Sequence, residues 1–83
     1  IPPMTEETRQ ELVKVLSSKL ESAHQAVRGI RDNIKEDIVK VERNKEISED
    51  EKYKLIEDLD EMTKNYTQQI KDIGDNKEEE IKL

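Results

Sequence analysis

Apolar residues recur at steps of three and four along most of this chain, and that period predicts α-helices rather than strands. Thr5 is a good N-cap after Pro2-Pro3, with Glu6 and Glu7 placed favourably in the first turn. We predict a helix over about residues 5–44, roughly 60 Å long. Its apolar seam comprises Leu12, Leu16, Leu20, Ala23, Val27, Ile30, Ile34, Ile38 and Val41.

A second helix is predicted over about residues 49–81, after a turn at about residues 45–48. Ser48 and Glu51 have the spacing of a capping box, which marks a helix start. Gly74 interrupts the regular spacing of its apolar residues, fraying is expected near Asp75-Asn76, and Ile81 and Leu83 close the chain. The seam of this helix follows a 3.5-residue repeat, typical of packing against a neighbouring helix, and comprises Ile56, Leu59, Thr63, Tyr66, Ile70, Ile73 and Lys77.

These patterns predict an all-α fold, with residues 1–83 forming one antiparallel helical hairpin. Each apolar seam is about 100° wide, which suits a bundle of three or four helices better than a pair. We therefore expect a missing partner helix, supplied by a parent protein or by a second copy of this chain in a four-helix bundle. Side chains expected to be partly uncovered are Leu16, Leu20, Val27, Ile34, Leu59, Tyr66 and Ile70.

The composition excludes several kinds of site. Without cysteine the chain has no disulfide and no thiolate for zinc or nucleophilic catalysis. No apolar run is long enough to span a bilayer, and Ile1-Pro2-Pro3 does not begin a signal peptide. We expect an intracellular chain that begins within a longer protein and takes no metal, cofactor or small-molecule substrate.

The most informative polar feature is a basic stripe formed by His24, Arg28, Arg31 and Lys35, whose spacings of four, three and four put them on one helix face. The chain has a net charge of -6, yet residues 1–47 are neutral and residues 48–83 carry the whole excess of acid. The first half can therefore approach a polyanion, whereas the second half would be repelled.

The stripe has two interpretations on spacing alone. It is either a solvated surface, with Arg28 paired to Asp32 four residues on, or a surface whose guanidinium groups contact phosphates. With two tyrosines as the only aromatics, base stacking is not expected, so RNA would be bound by backbone and shape.

Catalysis is not expected. His24 has no serine or cysteine at triad-like spacing, so we interpret it as an exposed, non-catalytic side chain. The carboxylate-rich segments 57–61 and 78–80 lack the glycine-centred loop of a calcium site, so we interpret them as solvated acidic faces.

Four segments, taken in order, resemble the bacterial ribosome recycling factor family. Residues 2–9 (Pro-Pro-Met-Thr-Glu-Glu-Thr-Arg) resemble the family's entrance to its second helix, Pro-Pro-Leu-Thr-Glu-Glu-Arg-Arg. Residues 26–32 (Ala-Val-Arg-Gly-Ile-Arg-Asp) resemble its Ala-Val-Arg-Asn-Val-Arg-Arg run. Residues 45–50 are similar to the turn before its third helix, and residues 77–81 to its ending. The resemblance spans the whole chain.

The resemblance implies that this chain is the last two helices of a three-helix bundle, without the first helix and the inserted β-rich domain. It implies a non-enzymatic factor of the bacterial cytoplasm, or of an organelle matrix in a eukaryote. That factor binds RNA of the large ribosomal subunit and, with elongation factor G and GTP, splits post-termination ribosomes.

By the same resemblance, Arg28 and Arg31 correspond to RNA contacts, with Lys35 and His24 as supports. Asp32 stands where the family usually has a third arginine, and Gly29 where it usually has asparagine. An acid beside two arginines weakens phosphate attraction. The alternative from another class is a coiled-coil module whose only task is helix pairing.

Overall fold

The computed structural model describes residues 4–82, which form two long helices and no strand. α1 spans Glu6–Arg43 and α2 spans Glu49–Lys82, and the two helices pack against each other. The hairpin measures 64 × 15 × 15 Å, close to the length expected from the helical rise. The predicted all-α hairpin is confirmed for this part of the chain. Pro2, Pro3 and Leu83 lie outside it, so their assigned roles stay predictions.

Both predicted helix starts have the expected caps. The Thr5 hydroxyl accepts a hydrogen bond from the backbone N–H of Thr8 at 3.1 Å. At α2 the Glu51 N–H donates to Ser48 Oγ at 3.1 Å, and the Ser48 N–H donates to Glu51 Oε1 at 3.1 Å. These bonds satisfy donors that have no partner within the helix, and the capping box is confirmed.

The turn between the helices begins with a left-handed residue. Lys45 has φ 64°, the only positive φ among residues 4–82. Its N–H donates to Glu42 O at 2.9 Å, and the Glu46 N–H donates to Val41 O at 2.9 Å. These two bonds form a Schellman motif, which ends α1 and reverses the chain. Glycine usually occupies the left-handed position of this motif because it lacks a Cβ.

The core of the hairpin is thin. Ile38 and Leu59, each 9% exposed, are its buried large side chains within residues 4–82. Thr63 belongs to the same contact region, where its hydroxyl donates to Leu59 O at 2.8 Å. Half-buried apolar residues extend the contact along both helices, and they include Val13, Leu16, Leu20, Val27, Ile56 and Ile70.

The predicted seams are only partly covered. Ile34 and Tyr66, expected to be partly uncovered, are 41% and 53% exposed, whereas Leu59, of which the same was expected, is buried. On α1, Ile30 is 60% exposed. Each apolar stripe is wider than the strip that one neighbouring helix can cover, so the second helix buries one edge of it.

The fraying expected near Asp75-Asn76 does not occur, and α2 passes through Gly74 without a break. The helix continues to Lys82, and Gly74 is buried against α1. A Cβ placed on Gly74 would lie 2.6 Å from Leu20 Cδ1, closer than carbon atoms can approach. Glycine therefore allows the backbone of α2 to approach Leu20. This contact also sets the antiparallel register of the two helices. Counting forward from Leu20 along α1 and backward from Gly74 along α2 puts Arg31 level with Thr63.

Exposed apolar side chains recur along one side of the hairpin, here called the apolar face. On each helix these side chains are rotated by about 80° around the helix axis from the residues that face the partner helix. Because the helices are antiparallel, both rows emerge on the same side. The apolar face comprises Leu12, Val15, Ile30 and Ile34 of α1, and Leu55, Met62, Tyr66 and Ile73 of α2, all between 38% and 60% exposed.

Candidate nucleic-acid interface

The basic stripe lies on the side of α1 opposite to the apolar face. Arg28 and Lys35 are exposed, whereas His24 and Arg31 are half-buried beside α2. The expectation of an exposed His24 was therefore wrong, because the stripe is broad enough for its inner edge to reach the contact with α2. The stripe thus consists of an inner pair, His24 and Arg31, and an outer pair, Arg28 and Lys35. Within each pair the residues are seven positions apart.

Asp32 pairs with Arg31 and not with Arg28. Arg31 donates from Nε and Nη2 to Asp32 Oδ1 at 3.2 Å and 3.1 Å. The predicted Arg28–Asp32 pair is absent from residues 4–82, where neither Arg28 nor Lys35 forms an ion pair. Arg28 and Lys35 therefore present uncompensated charge to solvent, while Asp32 partly neutralises Arg31.

A groove on this side of the hairpin connects Arg31 to α2. The groove is shallow and open to solvent, with a volume of about 470 Å³. Its charged α2 residues are Asp60, Lys64 and Lys71, and the polar residues Thr63, Thr67 and Gln68 complete its lining. The average charge of residues 48–83 therefore does not describe this surface, which carries two lysines beside the basic stripe.

Sequence reasoning missed Lys64 and Lys71. Their signal is a seven-residue spacing, equal to that of His24 and Arg31 and of Arg28 and Lys35. Residues seven apart stay aligned on a helix that packs with a 3.5-residue repeat. The spacing alone does not show that Lys64 and Lys71 share a surface with the stripe. The antiparallel register is needed, because it places these lysines beside Arg31.

The cationic side chains of this surface have the chemistry to bind an anion. Guanidinium groups bind phosphate oxygens through paired donors, and lysines contribute point charges. Within the described part of the chain, no group of three or more His, Cys, Asp or Glu side chains is arranged to hold a metal ion. No helix among the same residues is long and apolar enough to cross a membrane.

The comparisons with known proteins agree on one family. The family model described as ribosome recycling factor matches residues 1–81. The ribosome-recycling factor of Bacillus licheniformis is 43% identical over 81 residues, which cover 98% of this chain and 44% of that protein. Those of Symbiobacterium thermophilum and Bacillus subtilis are 41% and 42% identical over the same share of each chain.

The chain thus spans less than half the length of the curated relatives that it matches. No solved structure matches. The family match covers both helices, including the segment that carries the basic stripe. The chain belongs to the ribosome recycling factor family.

Proposed function

We propose that this hairpin is the ribosome-docking part of a ribosome recycling factor and that it binds RNA of the large ribosomal subunit through the basic stripe. The observation that carries the proposal is the location of the stripe. Arg28 and Lys35 are exposed and form no ion pair among residues 4–82. They lie on the side of the hairpin that faces away from the apolar face, in a chain that belongs to the family.

In this proposal Arg28 and Arg31 contact backbone phosphates, and Lys35 and His24 support them. The role is stoichiometric and not enzymatic, because binding requires only the placement of charge and shape. In the longer protein, elongation factor G and GTP would drive subunit separation through segments outside this chain. The site of action would be the bacterial cytoplasm, or an organelle matrix in a eukaryotic source.

The test is the affinity for purified large ribosomal subunits at several salt concentrations. We expect the Arg28→Ala/Arg31→Ala double variant to bind at least tenfold more weakly than the unaltered chain. Its affinity should also depend less steeply on salt concentration. The matched control is Lys19→Ala/Lys40→Ala, which removes the same charge from exposed positions of α1 away from the stripe. Equal binding by the arginine variant and the control would contradict the assignment.

The apolar face supports a second candidate function, helix pairing. Ile30, Met62 and Ile73 are each more than half exposed, and large apolar side chains that recur along one side are typical of a protein-binding surface. For this chain alone we propose a second copy as the occupant, forming a dimeric four-helix bundle. Because these side chains are already about half buried, covering each one contributes on the order of 1 kcal/mol. A monomer in sedimentation at high concentration would contradict dimerisation.

A further inference from the structure

The α2 lysine pair, Lys64 and Lys71, faces the same groove as Arg31, although the first half of the chain contains the whole basic stripe. We propose that this pair forms a second row of phosphate contacts, so that an RNA backbone lies in the groove between the helices with Arg31 at its floor. This inference rests on the proposed function and adds α2 to the docking surface.

Charge in and beside the groove favours an anionic occupant. The lining residues and the stripe together supply five cations, which are Arg28, Arg31, Lys35, Lys64 and Lys71. Three acids accompany them: Asp32 bonded to Arg31, Asp60 in the lining, and Glu21 seven residues before Arg28 on α1. This surface is therefore positive within a chain of net charge -6, and it attracts a polyanion that the rest of the molecule repels.

Spacing makes the two rows complementary. Lys64 and Lys71 lie about 10 Å apart along α2, as do Arg28 and Lys35 along α1, because each pair spans seven residues. The two rows run in opposite chain directions: Lys64 and Lys71 line the groove with Arg31, and Arg28 and Lys35 belong to the basic stripe beside it. A phosphate chain laid between them meets cations from both sides, a geometry that suits recognition of RNA by backbone and shape.

The α2 row also offsets a weakness of the α1 row. Asp32 occupies two of the donors of Arg31, so the inner edge of the stripe attracts phosphate less than its sequence suggests. Lys64 lines the groove with Arg31 and is exposed, and no ion pair involves it among residues 4–82. Its ammonium group therefore supplies charge where Asp32 removes it.

The experiment compares Lys64→Gln/Lys71→Gln with Lys54→Gln/Lys77→Gln, each in the 83-residue chain. Both variants lose two charges from α2, but the control lysines are paired with Asp58 and Glu80 and lie outside the groove. The probe is the purified large ribosomal subunit, titrated at several salt concentrations. Circular dichroism melts establish that both variants fold.

We expect the groove variant to bind about tenfold more weakly than the control, with the slope of log affinity against log salt reduced by about one to two. Equal affinities and slopes for the two variants would contradict the proposed phosphate contacts of Lys64 and Lys71. If Arg28→Ala/Arg31→Ala still loses binding in that case, the proposed function survives. Absence of binding by the unaltered chain would overturn both proposals.

Discussion

Arg31 and Asp32, neighbours in sequence, form the ion pair that determines how the basic stripe presents its charge. Two guanidinium nitrogens of Arg31 donate to one carboxylate oxygen of Asp32, at 3.2 Å and 3.1 Å. The side chains are 37% and 65% exposed, so solvent screens the pair and its contribution to folding is small. In the proposed docking its consequence is for binding, because the acid would compete with phosphate for the same donors.

Replacing Asp32 with asparagine should strengthen binding. The change removes a negative charge beside Arg28 and Arg31 and releases two donors, so we expect affinity for large ribosomal subunits to rise about three- to tenfold at low salt. Titration of subunits measures the effect. The matched control is Asp37→Asn, which removes the same charge from an exposed position of α1 off the stripe. An equal gain in the control would mean that overall charge, and not Arg31, sets the affinity.

The two glycines should respond oppositely to alanine. A Cβ at Gly29 meets nothing within 4 Å, so Gly29→Ala should gain the helix propensity of alanine, about 1 kcal/mol, and raise the melting temperature by roughly 4–8 °C. At Gly74 the added Cβ would overlap Leu20, so the gain is lost to displacement of that side chain. Gly74→Ala should therefore not raise the melting temperature, and an equal rise in both variants would contradict the close contact.

The helices could be predicted from the sequence because their signals are local. Thr5, Ser48 and Glu51 act within one turn, and apolar periodicity needs no knowledge of the partner helix. The exposed positions of Ile30 and Ile73 could not be predicted, because a 100° stripe does not indicate which of its edges a neighbour covers.

Gly74 in the helix contact and Lys64 in the candidate site illustrate the same limit. Propensity alone marks glycine as a helix breaker, whereas here the missing side chain permits a contact between residues distant in sequence. Likewise, Lys64 belongs to the acidic half of the chain and gains meaning only from the register that places it beside Arg31. Tertiary position, and not residue type, decided both.

Lys45→Gly should stabilise the hairpin. Lys45 holds the left-handed conformation at φ 64°, which costs a residue with a Cβ about 1–2 kcal/mol. Glycine avoids that cost but loses more conformational entropy on folding, so we expect a net gain of about 0.5–1 kcal/mol in the free energy of unfolding. Denaturant unfolding measures it. Lys45→Ala serves as the control, since it removes the charge but keeps the strain, and a similar gain in alanine would refute the conformational explanation.

The apolar face should control self-association without supporting the hairpin itself. Ile30→Glu/Met62→Glu places one charge in each exposed row, where burial in a dimer would require desolvation of the carboxylates. We expect the unaltered chain to sediment as a dimer and the variant as a monomer, with helical content retained because both side chains are more than half exposed. The control, Ser18→Glu/Asn65→Glu, adds the same charge at exposed positions outside the apolar face and should remain dimeric. Dissociation of both variants would indicate general charge repulsion instead of a defined interface, and dimers in both would locate the contact elsewhere.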